Sequence, residues 1–320
     1  MNLENKEPLL SICIPTYNRA DVLAQCLESI VTSEGFGNDV EVIISNNCST
    51  DETEEVCLKY ASKFSNIKYF KNETNIGGDR NILHVLELGS GSFLKLNNDY
   101  CSFKERGLTF LLDTIRKHSK EKPVLYFHNE IGKGETYETS DFNDFFLREK
   151  IGLGWISNYG YWKSDFEKFE EKDRFIETMF QQFDWLVRSY KRKKRIYCYN
   201  TKFYNRNKFK AKAGGYHYTK VHSINFFVQP EILEKEHLIT QGTLETVKKY
   251  VAYFVMWHQF RFSYIDHKHY SFDTKDGWKI IRQQFGHFKW YKKMLVKTIV
   301  LATIKTPYEK LVSLIRDFLP

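Results

Sequence analysis

Between Leu9 and Leu96 the chain alternates short apolar runs with stretches of helical spacing. Leu9 to Ile14 reads as a strand ending at Pro15, and Asp21 to Ile30 as a helix with Val22, Leu23, Cys26, Leu27 and Ile30 on one face. Val40 to Ile44 is almost continuously apolar, as a strand buried on both faces must be. A helix from about Glu52 to Phe64 follows, with Ser49 or Asp51 placed to cap it. Ile67 to Phe70 predicts a third strand, about Asp79 to Leu88 a helix, and Phe93 to Leu96 a fourth strand. This β-α-β-α-β-α-β rhythm predicts an open, largely parallel α/β sheet covered by helices. Polar residues gather just past three strand ends, at Thr16 to Arg19, Ser45 to Asp51 and Asn97 to Asp99. That edge is where open α/β sheets bind ligands, so a nucleotide or small-molecule site is expected there.

Further on, Pro123 to His128 and Trp155 to Trp162 read as strands, Arg174 to Tyr190 as a helix and Ile196 to Tyr199 as another strand. Residues 205–223, with Gly214-Gly215 and two histidines, read as a mobile loop, and 226–320 as a helical C-terminal region. The expected α/β domain is thus 1–225, with a nucleotide-binding half over about 1–105 and an acceptor half over about 106–225. A hydrophobic content of 42% supplies a core and argues against disorder. The net charge of +8 would favour anionic partners, but 40 acidic residues are interspersed and no RNA-binding signature is present. A nucleic-acid partner is therefore not expected. The six cysteines form no C-x-x-C pair, the N-terminus lacks a secretion signal, and no uncharged apolar stretch reaches ~18 residues. Together these predict a reduced, cytoplasmic setting.

Five elements, in order over about residues 9–105, carry a family resemblance. They are Ser11-Ile-Cys-Ile-Pro-Thr-Tyr-Asn-Arg19, Asn46-Asn-Cys-Ser-Thr-Asp51, Asn75-Ile-Gly77, Arg80-Asn81 and Asn97-Asn98-Asp99. The chain resembles family 2 glycosyltransferases, and Trp155 to Phe166 looks like the abequosyltransferase-type subgroup of bacterial surface-polysaccharide enzymes. The resemblance implies a GT-A fold, a Rossmann-like mostly parallel sheet flanked by helices. It also implies inverting transfer of a sugar from a nucleoside-diphosphate sugar to a glycan or lipid-linked glycan acceptor.

Residue by residue, the resemblance makes Thr16, Tyr17 and Arg19 a clasp for base and phosphate. Asn46 and Asn47 stand where relatives carry acids that contact base and ribose. Gly77 permits a tight turn, and Arg80 reaches the nucleotide. Asp99 would hold Mg²⁺ or Mn²⁺, although Asn97 and Asn98 replace the usual acids, so metal-independent catalysis stays open. The usual base position falls on Gln182, which accepts no proton. Asp184 is the nearest carboxylate and the candidate base, with Glu177 as the alternative. His217 and His222 are candidates for closing over the donor diphosphate, and Trp155, Tyr159, Tyr161 and Trp162 for stacking on a sugar or filling a buried strand.

Lys191 to Arg195 reads as a solvated helix end. Phe288 to Leu319 mixes Lys with large apolar residues and could lie on an anionic membrane or pack on the catalytic domain. The acids missing at 46, 47, 97, 98 and 182 support a second reading, a catalytically inactive relative acting as a binding or assembly subunit.

Overall fold

The computed structural model describes residues 7–128, 135–208, 213–265 and 270–304. In chain order the elements begin β1 (Leu10–Thr16), α1 (Ala20–Val31), β2 (Val40–Asn46), α2 (Thr53–Ala61), β3 (Ile67–Lys71), α3 (Gly78–Glu87) and β4 (Phe93–Leu96). Then come β5 (Cys101–Phe103), α4 (Gly107–His118), β6 (Val124–Phe127), β7 (Tyr137–Thr139), α5 (Phe142–Glu149), β8 (Gly160–Trp162) and α6 (Lys163–Phe166). The remainder is α7 (Gln181–Lys193), β9 (Ile196–Tyr199), β10 (Tyr204–Arg206), β11 (Ala213–His217), α8 (Tyr218–Lys220), α9 (Phe226–Lys235), α10 (Gln241–Phe260), β12 (Tyr270–Asp273), α11 (Gly277–Phe285) and α12 (Tyr291–Ile304). The chain divides into two compact units, Met1–Asp141 with Gly152–Lys210, and Phe142–Ile151 with Ala211–Pro320.

The first unit is built on a five-stranded sheet in the order β3-β2-β1-β4-β8. Its first four strands are parallel, with Leu10 opposite both Val40 and Phe93, and β8 closes the edge antiparallel to β4. The near-continuous apolar runs expected of doubly covered parallel strands are observed, since every residue of β2 and β4 is buried. Successive side chains of a strand face opposite ways. Leu10, Ile12 and Ile14 of β1 and Val40, Val42 and Ile44 of β2 accordingly share one core with Leu23, Leu27 and Ile30 of α1 and Leu108, Leu111 and Ile115 of α4. The buried face of α1 is the one its spacing predicts. A smaller sheet, β6-β9-β7, and the antiparallel pair β5 and β10 complete the unit.

The second unit contains α5, the helices from α8 to α12 and a parallel pair, β11 with β12. A π-helical turn, Val221–Asn225, joins α8 to α9, and Thr240 caps α10 through its hydroxyl, which accepts from the Thr243 amide.

Three sequence expectations need correction. Residues 205–223 are not one mobile loop: β10, β11, α8 and the π turn occupy the described part, and 209–212 lie outside the described residues. Gly214 explains β11, because at φ 141° a Cβ would stand 2.6 Å from the Phe272 amide nitrogen of β12. The run 155–162 is a strand only from Gly160, because Ile156–Asn158 curls into a 3-10 turn whose Asn158 side-chain amide bonds Tyr126 and Gly152. The helix expected from Arg174 begins at Gln181, after Met179 adopts φ 66°.

A buried carboxylate braces the sheet opposite its ligand-binding edge. Glu41 accepts from the Ser11 hydroxyl, the Ser90 amide and hydroxyl, the Gly91 amide and Lys68. Gly91 is required there, since a Cβ would lie 2.7 Å from the Ser11 nitrogen. Burial pushes the Glu41 carboxyl up, but the bonds from Lys68, Ser11 and Ser90 outweigh it and leave the pKa below its ordinary 4.5. A folded value below the unfolded one gives stability that is present above about pH 4.5 and lost as pH falls through the folded value. Glu41→Gln should lower stability at neutral pH by ~1–3 kcal/mol and flatten the acid side of the stability curve, as urea unfolding across pH would measure.

Candidate functional site

The C-terminal ends of β1, β2 and β4 meet where the three polar clusters were expected. The centre is Asp99, which is 3% exposed. Its carboxylate accepts from the Thr16 hydroxyl (2.9 Å) and pairs with the Arg19 guanidinium (3.1 Å), tying the end of β1 to the loop after β4. Burial raises the Asp99 carboxyl, and the Arg19 charge and the Thr16 bond offset this only in part. Arg19 also lies 5.5 Å from the Tyr100 ring centroid, and Trp155 donates from its indole nitrogen to the Tyr100 hydroxyl (3.1 Å). Tyr17 points outward, 43% exposed. Asp51 secures the backbone beneath, accepting from Ala20 at the start of α1 and from Thr53 at the start of α2.

Beside this centre lies a chain of side-chain amides. Asn47 donates to Asn75 (2.8 Å) and accepts from the Ile76 amide (2.9 Å) and from Asn72 (3.1 Å). Asn72 continues to Asn81, which bonds both the hydroxyl and the carbonyl of Ser45. Asn75 Oδ1 accepts from the Gly77 amide (2.9 Å), the local bond of an Asx turn. Gly77 sits at φ 86°, a conformation that costs other residues, and it opens α3. The Asn-x-Gly spacing therefore has a local cause: the asparagine closes the turn and the glycine allows it. Asn46 accepts from the Ser49 amide and donates to the Tyr69 hydroxyl (3.0 Å).

Direct donor contacts were expected from Asn46, Asn47 and Asn97; the first two amides are engaged within the protein, whereas Asn97 keeps its Oδ1 buried without a hydrogen-bond partner among the described residues. Asn97 is fully buried, donates to the Asn98 carbonyl (2.9 Å) and lies against the Cys26 sulfur. Asn98 is held by Ser157, whose hydroxyl accepts from both its backbone and its side-chain amide.

The donor-site candidate Arg80 and the base candidates Glu177 and Asp184 lie around the starts of α3 and α7. Arg80 is exposed and stands 3.8 Å from Glu177, which is also exposed. Asp184 is not joined to the Asp99 centre. Its buried carboxylate is bracketed by Arg174 and Arg188, the latter at 2.8 Å, and so anchors α7 to the segment before it. The acid expected from the sequence to be the base is thus held in ion pairs with two guanidinium groups. Gln182 is fully buried, and neither polar atom of its side chain has a partner among the described residues.

The sequence reading missed Asp79. This half-buried residue of the first turn of α3 lies against the Gln181 side chain, which donates to the Asp79 carbonyl (3.0 Å). Burial pushes its carboxyl up to about 6, Gln181 pulls it down, and Glu177 adds to the rise. Its one sequence signal is an acid two residues after Gly77, inside the motif.

His217 and His222 belong to the second unit. His217 caps α8 and contacts the Lys275 carbonyl (2.6 Å), while His222 stacks on Tyr218 and is pushed down to about 4 by burial.

No group of three or more His, Cys, Asp or Glu residues that could hold a metal occurs among the described residues. Hard cations such as Mg²⁺ take few protein oxygens and fill the rest of their shell with phosphate and water. The single carboxylate of Asp99 fits that limited role, with Arg19 as its charge partner when no cation is present.

An open, largely parallel sheet with a polar cluster at its strand ends defines an α/β protein with the architecture of an open-sheet ligand-binding fold. Residues 11–210 match the glycosyl transferase family 2 model, and the chain belongs to that family. Abequosyltransferase RfbV of Salmonella typhimurium is 43% identical over 94 residues, 29% of this chain and 26% of the relative. A GalNAc(5)-diNAcBac-PP-undecaprenol β-1,3-glucosyltransferase of Campylobacter jejuni is 28% identical over 42% of each chain. These matches thus span less than half of either relative. Among solved structures, residues 1-349 of S. aureus TarS in complex with UDP superpose with a TM-score of 0.54 at 16% identity, covering 92% of this chain and 90% of that one. A Pyrobaculum calidifontis mannosyltransferase in complex with GDP-Man and Mn²⁺ gives 0.52 at 10% identity, covering 97% and 79%. Both show the GT-A type of fold expected from the sequence.

If Asn47 acts by joining the loops, Asn47→Asp should destabilise the protein by ~1–3 kcal/mol, because a carboxylate would face the Asn75 oxygen with no proton to donate. Thermal unfolding measures this, and an unchanged midpoint would refute that role.

Proposed function

We propose that the protein is an inverting glycosyltransferase moving a sugar from a nucleoside-diphosphate sugar to a hydroxyl of a glycan or lipid-linked glycan during assembly of a bacterial surface polysaccharide. The observation that carries this reading is the buried Asp99 carboxylate, held by Thr16 and Arg19 at the ligand-binding edge of a family 2 domain. The acceptor class follows the names of the relatives, one of which acts on a PP-undecaprenol-linked glycan.

In this reading Arg19 presents planar donors and a fixed charge to the diphosphate, Tyr17 offers its exposed ring to the base, and Arg80 supplies a second cation from the start of α3. Mg²⁺ or Mn²⁺, when bound at Asp99, would offset charge on the departing diphosphate. The acceptor oxygen bonds to the anomeric carbon as the bond to the diphosphate oxygen breaks, and the acceptor proton must pass to a base. We assign that proton to Asp79, which forms no ion pair with an arginine among the described residues and lies beside the α7 start, where the family resemblance places the base.

Turnover across a panel of nucleotide-sugar donors tests the whole reading. Asp79→Asn should lower kcat by about 10²-fold or more and remove the acid limb of the pH profile, which in the parent enzyme rises with pH through about 6 as the base deprotonates. Asp184→Asn should instead lower the unfolding midpoint by leaving two arginines unpaired. A folded, inactive Asp184→Asn beside an active Asp79→Asn would return the base to Asp184. No turnover with any donor would favour the assembly-subunit reading.

A further inference from the structure

Helix α12 is amphipathic in the inverted sense. It packs on α10, with Ala302 against Phe260, its buried residues are Tyr291, Thr298 and Ala302, two of them small, and four of its large aliphatic side chains turn outward. Val296, Ile299, Val300 and Ile304 are 62%, 41%, 48% and 73% exposed. Spaced at i, i+3, i+4 and i+8, they form one stripe along the helix. Such a stripe on a water-facing helix loses hydrophobic stabilisation unless something covers it.

The charge around the stripe identifies the cover. From Gly277 to Ile304 the sequence holds Lys279, Arg282, Lys289, Lys292, Lys293 and Lys297 and no Asp or Glu. All six cations are exposed, and none is ion-paired among the described residues. Phe288 and Trp290 stack immediately before α12, so aromatic rings stand at the basic end of the aliphatic stripe. No described helix is long and apolar enough to cross a membrane. Exposed aliphatics and lysines on α12, with two aromatic rings just before it, match a helix lying in the plane of an anionic bilayer, with lysine stems reaching to the headgroups.

We propose that α12, with the basic residues of α11 and of the turn between them, docks this protein on an anionic lipid surface through Val296, Ile299, Val300 and Ile304. A second copy of this chain would also cover the apolar stripe, but it would bring six like charges against six, which favours the bilayer. The inference does not rest on the transferase reading, since lipid binding needs no sugar donor.

Vesicle flotation of the full chain tests it. The parent protein should float with vesicles mixing phosphatidylglycerol and phosphatidylethanolamine and remain behind with phosphatidylcholine alone. Val300→Asn with Ile304→Asn, and separately Lys292→Gln, Lys293→Gln and Lys297→Gln together, should each weaken partitioning at least about tenfold. The unfolding midpoint should be unchanged, because these side chains are exposed. No flotation of the parent protein would overturn the proposal. Undiminished flotation of both variants, or a dimer that the asparagine variant dissociates, would also overturn it.

Discussion

A carboxylate with 3% exposure is costly unless cations or donors meet it, and Asp99 is met by one of each. Those two bonds fix the relation between the end of β1 and the loop after β4, two neighbouring strands of the sheet. Arg19 is thereby held at the strand edge with part of its guanidinium turned to solvent, where an anion can compete for it. Tyr100 beneath Arg19, and Trp155 bonded to Tyr100, extend the same support outward. A ligand diphosphate or a divalent cation arriving here would exchange partners within an existing charge balance.

The asparagines that replace acids elsewhere in the site have a structural logic of their own. An amide both donates and accepts, so Asn47 can join Asn75, Ile76 and Asn72 at once, which a carboxylate cannot do. The loops after β2 and β3 and the start of α3 are locked by neutral bonds. Ionisable side chains around them include Arg19, Asp51, Asp99, Asp79, Arg80 and Glu177.

The first hundred residues were legible because their strands are buried on both faces and their helices on one, so apolar pattern and structure coincide. The Asp99 centre was legible for the same reason, since its three segments all follow predictable strand ends. The ion pairing of Asp184 was not legible because sequence spacing reveals an acid on a helix but not the Arg174 that reaches it from ten residues earlier. Asp79 was overlooked because its environment depends on Gln181, about a hundred residues away. The segment from 205 to 223 misled for another reason. Paired glycines normally signal a loop, yet Gly214 serves a close strand pairing with β12 that local sequence cannot show.

Calorimetric titration with UDP, GDP, CDP and dTDP, each with and without Mn²⁺, addresses the central claim that the Asp99 centre is a nucleotide-diphosphate site. The account predicts binding of one of the four, weakened at least about tenfold in Asp99→Ala and in Arg19→Ala. Binding that survives both substitutions unchanged, or no binding by the folded parent protein to any of the four, would contradict it.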